Sequence, residues 1–235
     1  MKKLILLSTL ISLFYIGNAQ HDQVIQDSKQ ENILRLGLHF TPTVGFIQSD
    51  KTNVKGGGAS IGYNFGLLGD IRFAENYYFS TGIDVVSSPL KVRFIDTLRD
   101  PYLSKNDVIL NYKLQYLGFP LSLKLKTDEI HYTKFFGQFG VEPQFNISKK
   151  VRPNKGTYAG TDYYVPVETA FSNFNDDINF VRISMIIGGG IEYSLGGKTS
   201  FVAGINYNGG FTDINKQPAL KISNNYIAIN LGVLF

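Results

Sequence analysis

From Ile33 to the C-terminus the chain alternates apolar and polar residues with a period of two, and no stretch sustains the 3.6-residue stripe of a helix. That one pattern restricts the chain to half-buried β-strands. Leu34, Leu36, Leu38, Phe40, Pro42, Val44 and Phe46 share one face of a first run, opposite Arg35, Gly37, His39, Thr41 and Thr43. Later runs repeat the pattern through Ile61–Phe73, Tyr77–Val85, Phe135–Ile147, Val181–Tyr193, Phe201–Phe211 and Ile227–Phe235. A run from Val108 to Lys126 is irregular: Leu110, Tyr112 and Leu114 fall on even positions, but Leu117, Leu121, Leu123 and Leu125 on odd ones. A bulge near Tyr116 would reconcile the two phases. A placement of the first part above a membrane would also account for it.

The eight runs are joined by short and long connections in strict alternation. Ala74–Asn76, Thr127–Tyr132 and Leu195–Thr199 are short, whereas Ser49–Gly58, Ser87–Asp107, Lys149–Asp177 and Asp213–Lys221 are long. Outer-membrane barrels have short periplasmic turns and long external loops. A soluble sandwich supplies no reason for such an asymmetry.

Two barrels fit the alternation, and they differ in which face points out. In a lipocalin-like soluble barrel the apolar face surrounds a ligand, whereas in a membrane barrel it meets lipid. Here the polar face carries Gly, Asn, Gln and Ser rather than the Lys and Glu of a solvated surface. Its charges are balanced, with Arg35, Arg72, Lys124 and Arg182 against Asp70, Asp84, Glu142 and Glu192. Side chains just fill the interior of an eight-stranded barrel, so charges placed there must be paired. The expected fold is therefore all-β: an eight-stranded antiparallel up-and-down transmembrane β-barrel with a filled polar lumen.

Composition narrows the function classes. The absence of cysteine excludes a disulfide framework, a thiol nucleophile and a cysteine zinc site. The longest apolar run, Leu4–Ile16, is too short for a membrane-spanning helix. It follows Lys2 and Lys3 and precedes Gly17-Asn18-Ala19, so residues 1–19 read as a secretory signal peptide cleaved after Ala19. Its removal takes two lysines and no acid from a formal net charge of +4, leaving +2, which gives no support to nucleic-acid binding. Residues 20–32 are polar and aperiodic and read as a flexible periplasmic lead-in, followed by a barrel domain over 33–235. The expected location is the outer membrane of a Gram-negative bacterium. The partners expected there are outer-membrane lipid and lipopolysaccharide. The terminal strand ending at Phe235 is of the kind that barrel-insertion machinery engages.

Chemistry is sparse. Of His21, His39 and His131 no two are spaced as a ligand pair, and no cofactor or metal is expected. His39 shares the polar face with Asp84 and Glu142, which suits a hydrogen-bonded lumen histidine better than a catalytic one. Gly188-Gly189-Gly190 lies inside an alternating strand with no helix after it, so it is not a phosphate loop. No catalytic set falls together, and the chain is not expected to be an enzyme. The connection Lys149–Asp177 is the candidate partner-contact loop, opening basic, closing acidic, and holding Tyr158, Tyr163, Tyr164, Phe171 and Phe174. It could equally fold as a hairpin that extends the barrel.

Four segments resemble the PorT-like outer-membrane β-barrel proteins of Bacteroidota. They are Tyr116-Leu-Gly-Phe-Pro-Leu-Ser-Leu-Lys124, Phe136-Gly-Gln-Phe-Gly-Val-Glu-Pro143, Gly188-Gly-Gly-Ile-Glu-Tyr193 and Asn230-Leu-Gly-Val-Leu-Phe235. Gly118 stands where that family usually has Glu, so a lumen carboxylate is missing at this point. The resemblance implies a barrel over about Ile33–Phe235 and makes a part in type IX secretion or gliding one expectation. The other is a structural or interaction role through external loops without an open pore. A solute channel and a lipid-acting barrel enzyme are the remaining, weaker alternatives.

Overall fold

The computed structural model describes residues 33–49, 54–96, 106–153, 156–158, 161–163, 178–216 and 221–235. The expected signal peptide and lead-in lie outside the described residues, as do Tyr164, Phe171 and Phe174.

The strands are β1 (Leu34–Ser49), β2 (Val54–Gly56), β3 (Ser60–Ala74), β4 (Tyr77–Asp96), β5 (Asn106–Gly118) and β6 (Leu121–Lys126). They continue as β7 (Thr133–Pro153), β8 (Gly156–Tyr158), β9 (Thr161–Tyr163), β10 (Val181–Gly196), β11 (Thr199–Gly210) and β12 (Ile222–Leu234). All pairings are antiparallel, and each long strand pairs with the next in sequence. β12 returns to β1 through Gly37↔Leu234 to Ser49↔Ile222. The sheet closes on itself. β5 and β6 form a single stave against β4 and β7, interrupted at Phe119-Pro120, where proline has no N–H to give the ladder. Phe119 N still donates to Pro143 O at 3.0 Å, so the stave remains attached across the break. Counted this way the barrel has eight staves, with β2, β8 and β9 as additions at one end.

The outside is apolar. Leu34, Leu36, Leu38, Phe40, Val44 and Phe46 of β1 are all exposed, as are Ile61, Phe65, Leu67 and Phe73 of β3 and Phe135, Phe139 and Val141 of β7. From Leu34 to Phe46 this face runs about 40 Å along the strand at 3.3 Å per residue, or about 30 Å of height at a tilt of ~40°. That matches the hydrocarbon thickness a barrel must cover. An exposed apolar belt of this extent has no place in water.

Two expectations need correction. The connection Ser87–Asp107 is mostly strand, because β4 runs to Asp96 and β5 begins at Asn106, leaving only 97–105 between them. The irregular stave also keeps one parity throughout. Leu110, Tyr112, Leu114, Tyr116 and Gly118 all face inward, and so do Ser122, Lys124 and Lys126. A register shift does fall at Gln115/Tyr116, but the extra residue is Ile147 on β7, opposite the place where the sequence suggests it. What reverses along the stave is the chemistry of the faces. Below Gly118 the outside meets lipid and the inside is polar; above it the inside is apolar and the outside carries Asn111, Lys113 and Gln115. The upper part obeys the ordinary rule for a protein in water.

That upper interior is a core. Val86, Leu90, Val92, Leu110, Tyr112, Leu114 and Tyr116 pack with Val54 of β2 and with Ile178, Ile214 and Ile222. The cluster caps the long-connection end of the barrel.

Candidate functional site

The lumen holds three polar clusters stacked between the short turns and this cap. The first is ionic and lies nearest the short turns. Lys124 Nζ reaches both oxygens of Asp70 at 2.9 and 3.0 Å, and Lys126 Nζ bridges Asp70 at 3.0 Å and Glu192 at 2.7 Å. Arg35 pairs with Glu192 and donates to Ser200 Oγ at 2.8 Å. Ser80 Oγ donates to Asp70 at 2.7 Å, and Asp70 has no solvent exposure. Lys126 Nζ also sits 4.1 Å from the Tyr78 ring centroid, a cation–π contact in a dry setting. The ion pairs thereby tie four strands, β1, β3, β6 and β10, together across the lumen. Removing one member would leave its buried partners short of one counter-charge.

The second cluster lies next to the cap. Arg182 donates to Gln144 Oε1 at 2.7 Å, to Asn208 Oδ1 at 2.9 Å and to the Asn224 carbonyl at 2.7 Å. Asn208 turns its amide nitrogen to Glu142 at 2.7 Å, so one neutral side chain links the arginine to the carboxylate. Direct charge pairing, expected from the balanced composition, is here replaced by an amide relay.

The third contains the only histidine of the lumen among the described residues. His39 Nε2 lies 2.8 Å from Asp84 Oδ1 and Nδ1 lies 3.0 Å from Thr41 Oγ1, so both ring nitrogens are engaged. These residues, with Asn64, Glu142, Asn206 and Asn208, border a cavity of about 80 Å³.

Of the eight charges read from the sequence, seven belong to these clusters. Arg72 does not. It stands at the short-turn rim, half-buried, and its Nε donates to the Glu75 carbonyl at 3.2 Å, because its strand ends two residues later. The sequence reading passed over Lys126, although the parity that selects Lys124 reaches it; the balance of buried charge survives with Lys126 in the place of Arg72. Gln144 and Asn208 fall on the polar face by parity, but no charge pattern singles them out as the partners of Arg182 and Glu142. Gly118 acquires a specific reason: a Cβ there would lie 2.5 Å from Glu142 Oε1. The carboxylate absent from position 118 is supplied to the same space by the neighbouring strand. Gly190 and Gly204 leave room for the Phe136 ring, whose Cζ would lie 2.9 and 3.2 Å from added Cβ atoms. The glycine run is thus a packing device inside β10.

In the candidate partner loop, β7 continues to Pro153, and β8 and β9 form a small hairpin with Tyr158 opposite Thr161 and Tyr163 opposite Gly156. Asp107 of β5 pairs with Thr157. The part of this connection that is described extends the barrel wall.

A closed antiparallel cylinder, apolar outside and polar within, is a transmembrane β-barrel of the outer-membrane class. Residues 18–216 match the outer membrane protein beta-barrel domain family, and the chain belongs to that family. It is an outer-membrane β-barrel protein. No curated protein matches the chain. Similar solved structures include AlkL in lipid bilayers, at 14% identity, 92% of this chain, 97% of that chain and TM-score 0.42. Neisserial surface protein A is similar at 13% identity over 85% and 97%, with TM-score 0.38. OprG of Pseudomonas aeruginosa is similar at 11% identity over 87% and 96%, with TM-score 0.39.

Proposed function

We propose that this protein is a closed outer-membrane barrel that acts through its external extension and conducts no solute. The observation that carries this reading is the double seal of the lumen. An ionic cluster of Arg35, Asp70, Lys124, Lys126 and Glu192 blocks the short-turn end, and an apolar cap around Leu110, Leu114 and Tyr116 blocks the other. Between them the cavity beside His39 and Asp84 holds about 80 Å³, room for a few waters rather than a permeating solute. His39 and Asp84 lie inside this sealed space, out of reach of lipid or polymer, so their pairing supports a structural role and not catalysis.

The extension formed by β2, the upper halves of β4 and β5, and the end of β7 is the surface left for function. A structural or interaction role fits it, and a part in the type IX secretion or gliding apparatus is one setting for that role. In planar bilayers the purified protein should give no unitary current steps. Reproducible steps from a preparation with the mobility of folded barrel would overturn the closed reading. Crosslinking in cells from position 158 or 163 tests the interaction role, which fails if no protein is captured and deletion of 154–177 leaves the phenotype unchanged.

A further inference from the structure

The outer surface of the extension has a charge character unlike the rest of the molecule. On β4 the outward positions run from exposed Phe79 and Ile83 up to exposed Lys91 and Arg93 on the same face. The neighbouring stave runs from outward Leu121 and Leu117 to exposed Lys113, and β7 from Phe139 and Val141 to exposed Lys150. Lys55 of β2 is exposed beside them. The stretches 54–56, 87–93, 109–115 and 146–152 contain no acidic residue.

Register makes the concentration sharper. Lys113 stands directly opposite Lys150, and Lys55 directly opposite Arg93. Lys91 stands opposite Asn111, one diagonal step from Lys113, and Asn111 in turn stands opposite Arg152. Like charges directly opposite on a sheet repel and destabilise it. The Lys113–Lys150 pair is tolerable where an anion lies between the two cations. The face sits immediately above the lipid-facing belt and points the same way. Whatever occupies it belongs to the headgroup layer of the same membrane, on the long-connection side, which in a barrel of this class is the cell exterior. The anionic groups of that layer are the phosphates of lipopolysaccharide.

We propose that Lys55, Lys91, Lys113 and Lys150 form a binding surface for the phosphorylated saccharide headgroup of lipopolysaccharide in the surrounding outer leaflet. Lysine suits this task as a flexible, multiply donating point charge that follows a mobile phosphate. The inference rests on the outer-membrane placement and on the long connections facing outward. It is independent of whether the lumen conducts, so conductance measurements and the following test can fail separately.

The full-length protein, folded in neutral detergent micelles, is titrated with bisphosphorylated lipid A, with lipid A lacking both phosphates, and with bisphosphorylated lipid A at raised salt. Bound lipid is followed by native mass spectrometry or by fluorescence of a labelled lipid. Wild type should prefer the bisphosphorylated form. The K91Q/K113Q/K150Q variant should lose affinity by roughly 100-fold, given about fivefold per lysine at an anionic surface. K91R/K113R/K150R should retain affinity near that of wild type, and salt should weaken wild-type binding. The heat-sensitive gel mobility of folded barrels confirms that each variant is assembled, and Lys198→Gln at the opposite end serves as a control that should change nothing. Equal binding of the dephosphorylated lipid, undiminished binding by the glutamine variant, or binding insensitive to salt would each overturn the proposal.

Discussion

Single residues in this lumen matter through what their removal leaves behind. Lys126 is buried and bridges Asp70 and Glu192 at 3.0 and 2.7 Å. Lys126→Met leaves Glu192 with Arg35 and Asp70 with Lys124, each short of one cation. The expected loss is about 3 kcal/mol, in the range for breaking a buried ion pair from one side, read as a lower urea midpoint for loss of folded gel mobility. Adding Glu192→Gln to Lys126→Met should recover part of that loss, whereas additive losses would show that the two residues do not act together. The glycines allow a second contrast. A Cβ at Gly118 meets the end of the Glu142 side chain, while a Cβ at Gly190 meets the Ala203 carbonyl and the Gly204 Cα at 2.2 and 2.6 Å. Gly118→Ala should therefore cost less than about 1 kcal/mol, and Gly190→Ala about 1–3 kcal/mol, because backbone gives way less readily than a side chain. Denaturant midpoints of the two variants decide between them.

At the level of elements the β4–β5 extension separates from the membrane section of its own strands. Its interior obeys the rule for water-soluble sheets and the section below obeys the rule for lipid, although the strands and their parity are continuous. Leu110 has no exposure and packs in the cap. Leu110→Ala should cost about 2–5 kcal/mol of local stability. The expected readout is faster cleavage of the extension by external protease on intact cells, with the membrane section still assembled. Leu121→Ala on the lipid-facing side removes no core contact and should leave protease resistance unchanged. Alternation reveals the faces of every stave except the irregular one formed by β5 and β6. It conceals the length of β4 and β5, because their upper halves carry apolar residues on the face that is polar below.

The whole molecule is a ring, and a ring depends on its closure. β12 is held on one side by β11 and on the other by β1, from Gly37↔Leu234 to Ser49↔Ile222. Deleting residues 222–235 removes the only partner shared by those two strands and leaves two open edges in lipid, where unpaired backbone groups each cost several kcal/mol. No heat-modifiable species should form from that truncation. Replacing 154–177 with a short flexible linker should leave assembly intact, since β7 and β10 remain paired from Phe145↔Val181 to Thr133↔Tyr193. Gel mobility with and without heating distinguishes the two outcomes.

The sequence by itself determined the faces of every stave but the irregular one, the order of eight staves and the end bearing the short turns; of the interior charges it overlooked Lys126 and counted Arg72 in excess. It could do so because side-chain direction in a strand follows parity alone, and parity is local. Only the tertiary structure decided which charges meet. Lys126 reaches Glu192 across the lumen, and Asn208 stands between Arg182 and Glu142, because strand register and height along the axis bring residues from distant runs to the same level. It also chose between the two accounts of the irregular run, showing that the inside of the barrel changes from polar to apolar beyond Gly118. That boundary is set by where the bilayer ends, and the same alternation is written on both sides of it.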